Sequence, residues 1–177
     1  RDSFMFVLPL LDQDSTLTIT EPYESKSYVN LTIQMLAKFG IEILETSSNS
    51  YLIKGNQHYK TQDVSVEGDF SQLAFFAVLG TLNNTLSCSN MDMSSKQGDK
   101  AILDCIPSFT SDKDTITFTK KQPVPQTIDL SNCPDLGPIL CVLASFTNGE
   151  TNIVNAARLR MKESDRILAM ETELKKW

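Results

Sequence analysis

The chain has 177 residues, of which 41% are apolar and 21% charged, and it carries a net charge of −6. That length and mixture allow a substantial core, in one domain or two small lobes, and set aside an intrinsically disordered chain. The acidic balance argues against bulk binding to nucleic acid or to an acidic membrane surface, while leaving room for a local basic pocket.

In chain order, three stretches share one grammar. "SFMFVLPLLDQDSTLTIT" (residues 3–20), "SQLAFFAVLGTLNNTLSCS" (71–89) and "LGPILCVLASFTNGETNIVN" (136–155) each run from an apolar helical segment through a polar turn into a short alternating strand. Val7, Val78 and Val142 mark the same place in each, so the repeat is a whole supersecondary unit. After the first copy, "YVNLTIQMLAKFG" puts Val29, Ile33 and Leu36 on one helical face, with Gly40 placed to end the helix. "IEIL" and "YLIKG" follow as strands, Ile41 and Ile43 sharing a face. Residues 54–69 form a polar connector, with a hinge expected near 60–67. After the second copy, Ile102, Leu103, Ile106 and Phe109 suggest another helical face, and "TITFT" a strand with Ile116 and Phe118 on one side. "KKQPVPQT" (120–127) reads as a loop stiffened by its prolines. In the last copy, Ile167, Met170, Leu174 and Trp177 recur at helical spacing, behind Ser164 as N-cap.

The polarity pattern assigns layers. Leu17/Ile19, Val64/Val66, Leu86/Cys88, Ile116/Phe118 and Ile128/Leu130 all alternate with polar neighbours, as in strands wet on one face. "QLAFFAVL" is apolar nearly all round and reads as a buried helix. Buried helices beneath half-exposed sheets invert the usual doubly wound arrangement.

The four cysteines, Cys88, Cys105, Cys133 and Cys141, show no CxxC spacing and read as reduced thiols of a cytoplasmic protein. His58 is alone, so neither a dedicated zinc site nor Ser-His-Asp chemistry is expected. "FMFVLPLL" is too short to span a bilayer, and no basic segment of a signal peptide precedes it. No P-loop, GxGxxG or HExxH motif occurs, and no cofactor is expected. The chain starts at Arg1 without an initiator methionine, and is expected to be part of a longer protein.

Charged residues at helix starts are the candidates for chemistry. "RLRMKESDR" places Lys162 and Arg166 at a helix N-terminus, where the dipole disfavours cations. Two readings stand: a solvated helix start, or an anion site using backbone N–H groups and basic side chains. Asp135 precedes one apolar helix and Asp69 another, and each is either a cap or a general acid/base. Ser25, Lys26 and Tyr28 precede the second, outer helix of the first copy, the place that Gly98-Asp99 and Ser164-Asp165 hold in the later copies. Capping accounts for Ser25 or Ser27, and a core edge for Tyr28, as readily as a ligand does.

Four segments, in this order, carry a resemblance. They are "SKSYVNLTIQMLAKFGIEI", "VEGDFSQLAFFAVLG", "CPDLGPILCVLASFTNGETNI" and "RLRMKESDRILAMETELKK". They resemble signatures of the 5-enolpyruvylshikimate-3-phosphate synthase family, above all its R-x-K-E-[ST]-D-R pattern, and together they run over essentially the whole chain. The resemblance implies an α/β fold, the inside-out barrel of the enolpyruvyl transferases, built from βαβαββ-type units with helices inside and sheets outside. Residues 1–62 would be the C-terminal part of one substrate-binding lobe, and residues 63–177 about two units of the other. The implied reaction moves the enolpyruvyl group of phosphoenolpyruvate to the 5-hydroxyl of shikimate 3-phosphate. Asp135 and Glu163 would be catalytic, and Ser25, Tyr28, Lys162 and Arg166 would bind substrate, with no metal.

Departures from the pattern matter. The family's N-terminal cations, its Ser-Ser-Gln stretch and its C-terminal arginine and lysine are absent. "CIPSFTSDKD" and Ala156–Ala157 replace differently built loops. The isolated chain is therefore expected to be catalytically inactive, with missing segments of its own parent chain as partners. An enolpyruvyl transferase acting on UDP-N-acetylglucosamine, and a non-catalytic shikimate-3-phosphate-binding lobe, are the alternatives.

Overall fold

The computed structural model describes residues 2–177. The chain divides into two compact units, Arg1–Val66 and Glu67–Trp177, the step falling inside the polar connector a few residues beyond 62.

The first unit runs α1 (Asp2–Val7), β1 (Ser15–Thr18), α2 (Lys26–Lys38), β2 (Ile43–Ser47) and β3 (Ser50–Ile53). Its antiparallel sheet has the order β1-β3-β2. Tyr51 and Ile53 face inward from β3 and are buried with Met5, Val29, Leu36 and Ile41. The outer face carries hydroxyls, Thr18 Oγ1 lying 3.0 Å from Ser50 Oγ. Gly40 ends α2 as its position implied, at φ +81°. Its N–H bonds to Ala37 O and that of Ile41 to Leu36 O, which closes the orphaned carbonyls in a Schellman pattern. Ile41 and Leu36, both buried, complete the associated apolar contact.

The second unit runs α3 (Phe70–Leu82), β4 (Leu86–Cys88), a 3-10 turn (Gly98–Ala101), α4 (Ile102–Cys105), β5 (Phe109–Asp112), β6 (Thr115–Phe118) and β7 (Thr127–Asp129). A 3-10 turn (Pro134–Leu136), α5 (Gly137–Ser145), β8 (Asn152–Val154), another 3-10 turn (Ala157–Met161) and α6 (Arg166–Leu174) follow. The antiparallel order β4-β6-β5 repeats that of the first unit, and β7 and β8 pair in parallel. A parallel pair needs a crossover, and α5 supplies it. Ile116 and Phe118 are buried on the inner face of β6, while Ser87 and Thr117 meet on the outer face at 2.8 Å. The expected layering of apolar inner faces and hydroxyl-bearing outer faces thus holds within each unit. Truncating Phe118 to alanine removes a fully buried ring, at a cost of about 3–5 kcal/mol.

Four local expectations are corrected. Val64 and Val66 alternate like a strand, yet both are exposed and lie outside any strand. α3 is buried along one side, at Phe70, Leu73, Ala74, Ala77, Val78, Gly80 and Thr81, with Phe75, Phe76 and Leu79 about half exposed. The helix expected to include Ile106 and Phe109 ends at Cys105, because Pro107 follows and Phe109 joins β5. α6 buries none of its residues fully, and Trp177 is exposed.

Candidate functional site

In the second unit, burial on alternate residues aims the charged side chains. Pro134 and Leu136 are buried on either side of Asp135, which leaves its carboxylate at the surface of the turn that enters α5. Pro134 also presets the backbone for that turn. Opposite, Leu159 is buried in the turn over Ala157–Met161 and sits against Gly137. A Cβ at residue 137 would come within 2.5 Å of Leu159 Cδ1, so the glycine sets how closely this turn approaches α5. Beyond it the chain is extended at Lys162, and α6 begins at Arg166.

These turns bring four of the candidate side chains together. Lys162 Nζ and one terminal nitrogen of Arg166 each donate to Asp135 Oδ1 at 3.0 Å. Arg166 also grips Glu163 as a fork, Nε to Oε1 at 3.0 Å and its other terminal nitrogen to Oε2 at 3.1 Å. Asp135, Lys162 and Arg166 are partly buried, whereas the Glu163 side chain is 68% exposed. Glu163 is held below the usual glutamate range, first by its own backbone N–H and then by Arg166. For Arg166, burial alone would lower its proton affinity, but pairing with Glu163 and Asp135 outweighs that and holds it above the usual value. Two cations are balanced by two carboxylates, in a group that solvent reaches.

The helix start differs in one respect from expectation. Asp165, not Ser164, is the N-cap of α6, and its Oδ1 accepts from Leu168 N at 3.0 Å. With the dipole's need met there, Lys162 and Arg166 are left to Asp135. The two earlier aspartates also separate. Asp69 caps α3 by accepting from Ser71 N and Oγ, whereas Asp135 makes the cation pairs.

Ser25 and Tyr28 belong to the first unit. Ser25 is buried and left-handed, at φ 58°, at the head of α2, and its side chain does not cap the helix. A left-handed serine is strained by about 1–2 kcal/mol, a cost met where neighbouring structure dictates the conformation. Lys26 supplies part of that, bonding Glu45 Oε1 at 2.5 Å and Ser48 O at 3.0 Å on the β2–β3 hairpin. Tyr28 is half-buried, its N–H bonded to Ser25 O. The sequence reading noted Lys26 but did not identify this anchoring, because the pairing is between segments distant in the chain. All four cysteines are free thiols. Among the described residues no three His, Cys, Asp or Glu side chains gather as a metal site, and no helix is long and apolar enough to cross a membrane.

A family model for EPSP synthase (3-phosphoshikimate 1-carboxyvinyltransferase) matches residues 2–177. The chain belongs to the EPSP synthase family. A 3-phosphoshikimate 1-carboxyvinyltransferase of Clostridium acetobutylicum is 51% identical over 174 residues, which is 97% of this chain and 41% of that protein. One from Clostridium novyi is 48% identical over 176 residues, again 97% of this chain and 40% of the relative. The chain therefore spans about two-fifths of the length of the curated relatives it matches. Among solved structures, an EPSP synthase from Acinetobacter baumannii superposes with a TM-score of 0.72 at 21% identity, covering 92% of this chain and 39% of that one. The enolpyruvyl transferase NikO from Streptomyces tendae gives 0.63 at 17%, covering 82% and 36%. The fold is that of the EPSP synthase enolpyruvyl transferases.

Proposed function

We propose that this chain carries part of the site that transfers the enolpyruvyl group of phosphoenolpyruvate to the 5-hydroxyl of shikimate 3-phosphate, releasing phosphate. The observation that supports this reading is the meeting of Lys162 and Arg166 on a single oxygen of Asp135. An arriving phosphate or carboxylate group competes for those two cations and leaves Asp135 to accept a proton.

In this reading Arg166 holds phosphoenolpyruvate and Lys162 binds shikimate 3-phosphate; within the first unit, Tyr28 and Ser25 are the residues for shikimate 3-phosphate, Ser25 bonding its phosphate. Asp135 accepts the 5-hydroxyl proton as that oxygen bonds to the central carbon of phosphoenolpyruvate. Glu163 serves proton transfer at the methylene carbon, where a proton is added to give the tetrahedral adduct. Loss of that proton with departure of phosphate restores the double bond in the product. Cations arranged before the adduct forms lower the barrier because they need no reorganisation as charge develops.

The test is a chimera in which residues 1–177 replace the matching segment of the Clostridium acetobutylicum relative. Phosphate release from phosphoenolpyruvate and shikimate 3-phosphate is expected from the folded chimera and not from the 177-residue chain alone. A folded chimera that binds shikimate 3-phosphate without turnover would favour a binding lobe and sink the catalytic reading.

A further inference from the structure

We propose that Arg160 is a positioning residue for the charged cluster: its ion pair with Asp165 closes the Lys162–Ser164 turn and so keeps Lys162 on Asp135. This deepens the functional reading above, since Lys162 and Arg166 are its anion-binding residues, but the geometry behind it concerns the chain alone.

The turn has apolar anchors only at its ends. Leu159 is buried on one side and Ile167 packs against the core on the other. Between them Met161 is 78% exposed, and Glu163 and Ser164 also face solvent. Polar bonds must therefore set the shape of this stretch. Arg160 donates to Asp165 Oδ2 at 2.8 Å, spanning the four intervening residues. The other oxygen of the same carboxylate caps α6 through Leu168 N. One carboxylate thus joins the 3-10 turn over Ala157–Met161 to the first turn of α6. Asp165 is held below its usual range by the Leu168 N–H and, less strongly, by Arg160, so it stays ionised for both partners at neutral pH.

Arg160 makes this pair outside the cluster. Its charge also acts on Glu171, further along α6, whereas Lys162 and Arg166 donate to Asp135. Successive basic residues of the motif are thus divided, Arg160 to the helix cap and Lys162 and Arg166 to the carboxylate at the α5 entrance. The Arg160 side chain is 56% exposed, and such a pair contributes little to folding. Its effect falls on placement, where a shift of about 1 Å in a charge weakens a preorganised site strongly.

The experiment uses the 177-residue chain labelled with 15N at lysine, reading the Lys162 ammonium signal by NMR, with Asp135→Asn used to assign it. An ammonium held on a carboxylate exchanges slowly enough to be seen, whereas a free surface lysine does not. We expect the signal in the wild type and its loss in both Arg160→Ala and Asp165→Asn, the latter keeping a competent cap. Melting temperatures should move by less than about 4 °C, and Arg160→Lys should restore most of the signal. Persistence of the signal in either Arg160→Ala or Asp165→Asn overturns the proposal, as does its absence from the wild type. The chimera assay is separate. An inactive chimera with an Arg160-dependent signal removes the catalytic reading alone, and an active chimera with an indifferent signal removes the clamp alone.

Discussion

Two apolar helices of the second unit, α3 and α5, are each approached past an aspartate, and their entrances are built on different principles. At α3, side chains meet the backbone's needs. Asp69 takes Ser71 N at 2.8 Å, and Gln97 Oε1 takes Phe70 N at 2.9 Å. The Gln97 amide is itself fixed by Glu67 Oε1 at 2.9 Å and Gly68 O at 2.9 Å. At α5 the backbone meets most of its own needs. Leu136 N bonds to Cys133 O, Gly137 N bonds to Pro134 O, and Pro138 has no N–H to satisfy. At α5 the aspartate carboxylate takes Lys162 and Arg166, whereas at α3 it takes the helix's own Ser71, and the proposed acid–base role of Asp135 rests on that difference.

Substitution at the two aspartates tests this contrast most severely. In the chimera, Asp135→Asn should lower phosphate release by at least about 100-fold, the scale of a lost general base. Asp69→Asn should change it less than a few-fold, because asparagine caps as well as aspartate. Equal losses would erase the distinction between the entrances. A smaller effect separates them by stability: Asp69→Ala in the 177-residue chain should cost about 1 kcal/mol in urea unfolding through loss of the cap. No change there would show that Gln97 and Glu67 hold the entrance without Asp69.

The smallest effect concerns acid. Glu163 and Asp165 are both lowered in the folded chain, so their pairings stabilise it fully above the ordinary values of 4.5 and 3.8. That contribution fades as pH falls through the lowered folded-state values. Carboxyl-carbon NMR should show both midpoints below the ordinary ones. A Glu163 midpoint at or above 4.5 would mean that the fork to Arg166 is not maintained in solution.

Much of this was legible in the chain. Gly40 announced a helix end because only a residue tolerant of positive φ closes a Schellman turn cheaply. The alternation in "TITFT" announced which face of β6 is buried. The distinction between Asp69 and Asp135 was present too, in "DFS" against "DLGP": Ser71 offers a hydroxyl as well as an N–H to the first aspartate, whereas Gly137 has no hydroxyl and Pro138, one further on, has no N–H. Other features were illegible for physical reasons. Val64 and Val66 alternate, but alternation makes a strand only where another strand lies alongside, and among the described residues this segment belongs to no sheet. The uniform apolarity of α3 concealed that Phe75, Phe76 and Leu79 face outward within this unit. Ser164 and Asp165 are adjacent and both good caps, so composition could not choose between them. The Arg160–Asp165 pair spans an irregular turn and obeys no helical spacing.

The contact between Gly137 and Leu159 gives the site a single adjustable shim. Neither residue carries charge, and yet their close approach lies where the turn that leads to Lys162 meets the start of α5. A methyl group added at residue 137 would come within 2.5 Å of Leu159 Cδ1 and 3.2 Å of Leu130 Cδ1, so the strain would enter through leucine side chains and leave every functional atom of the ionic group chemically intact.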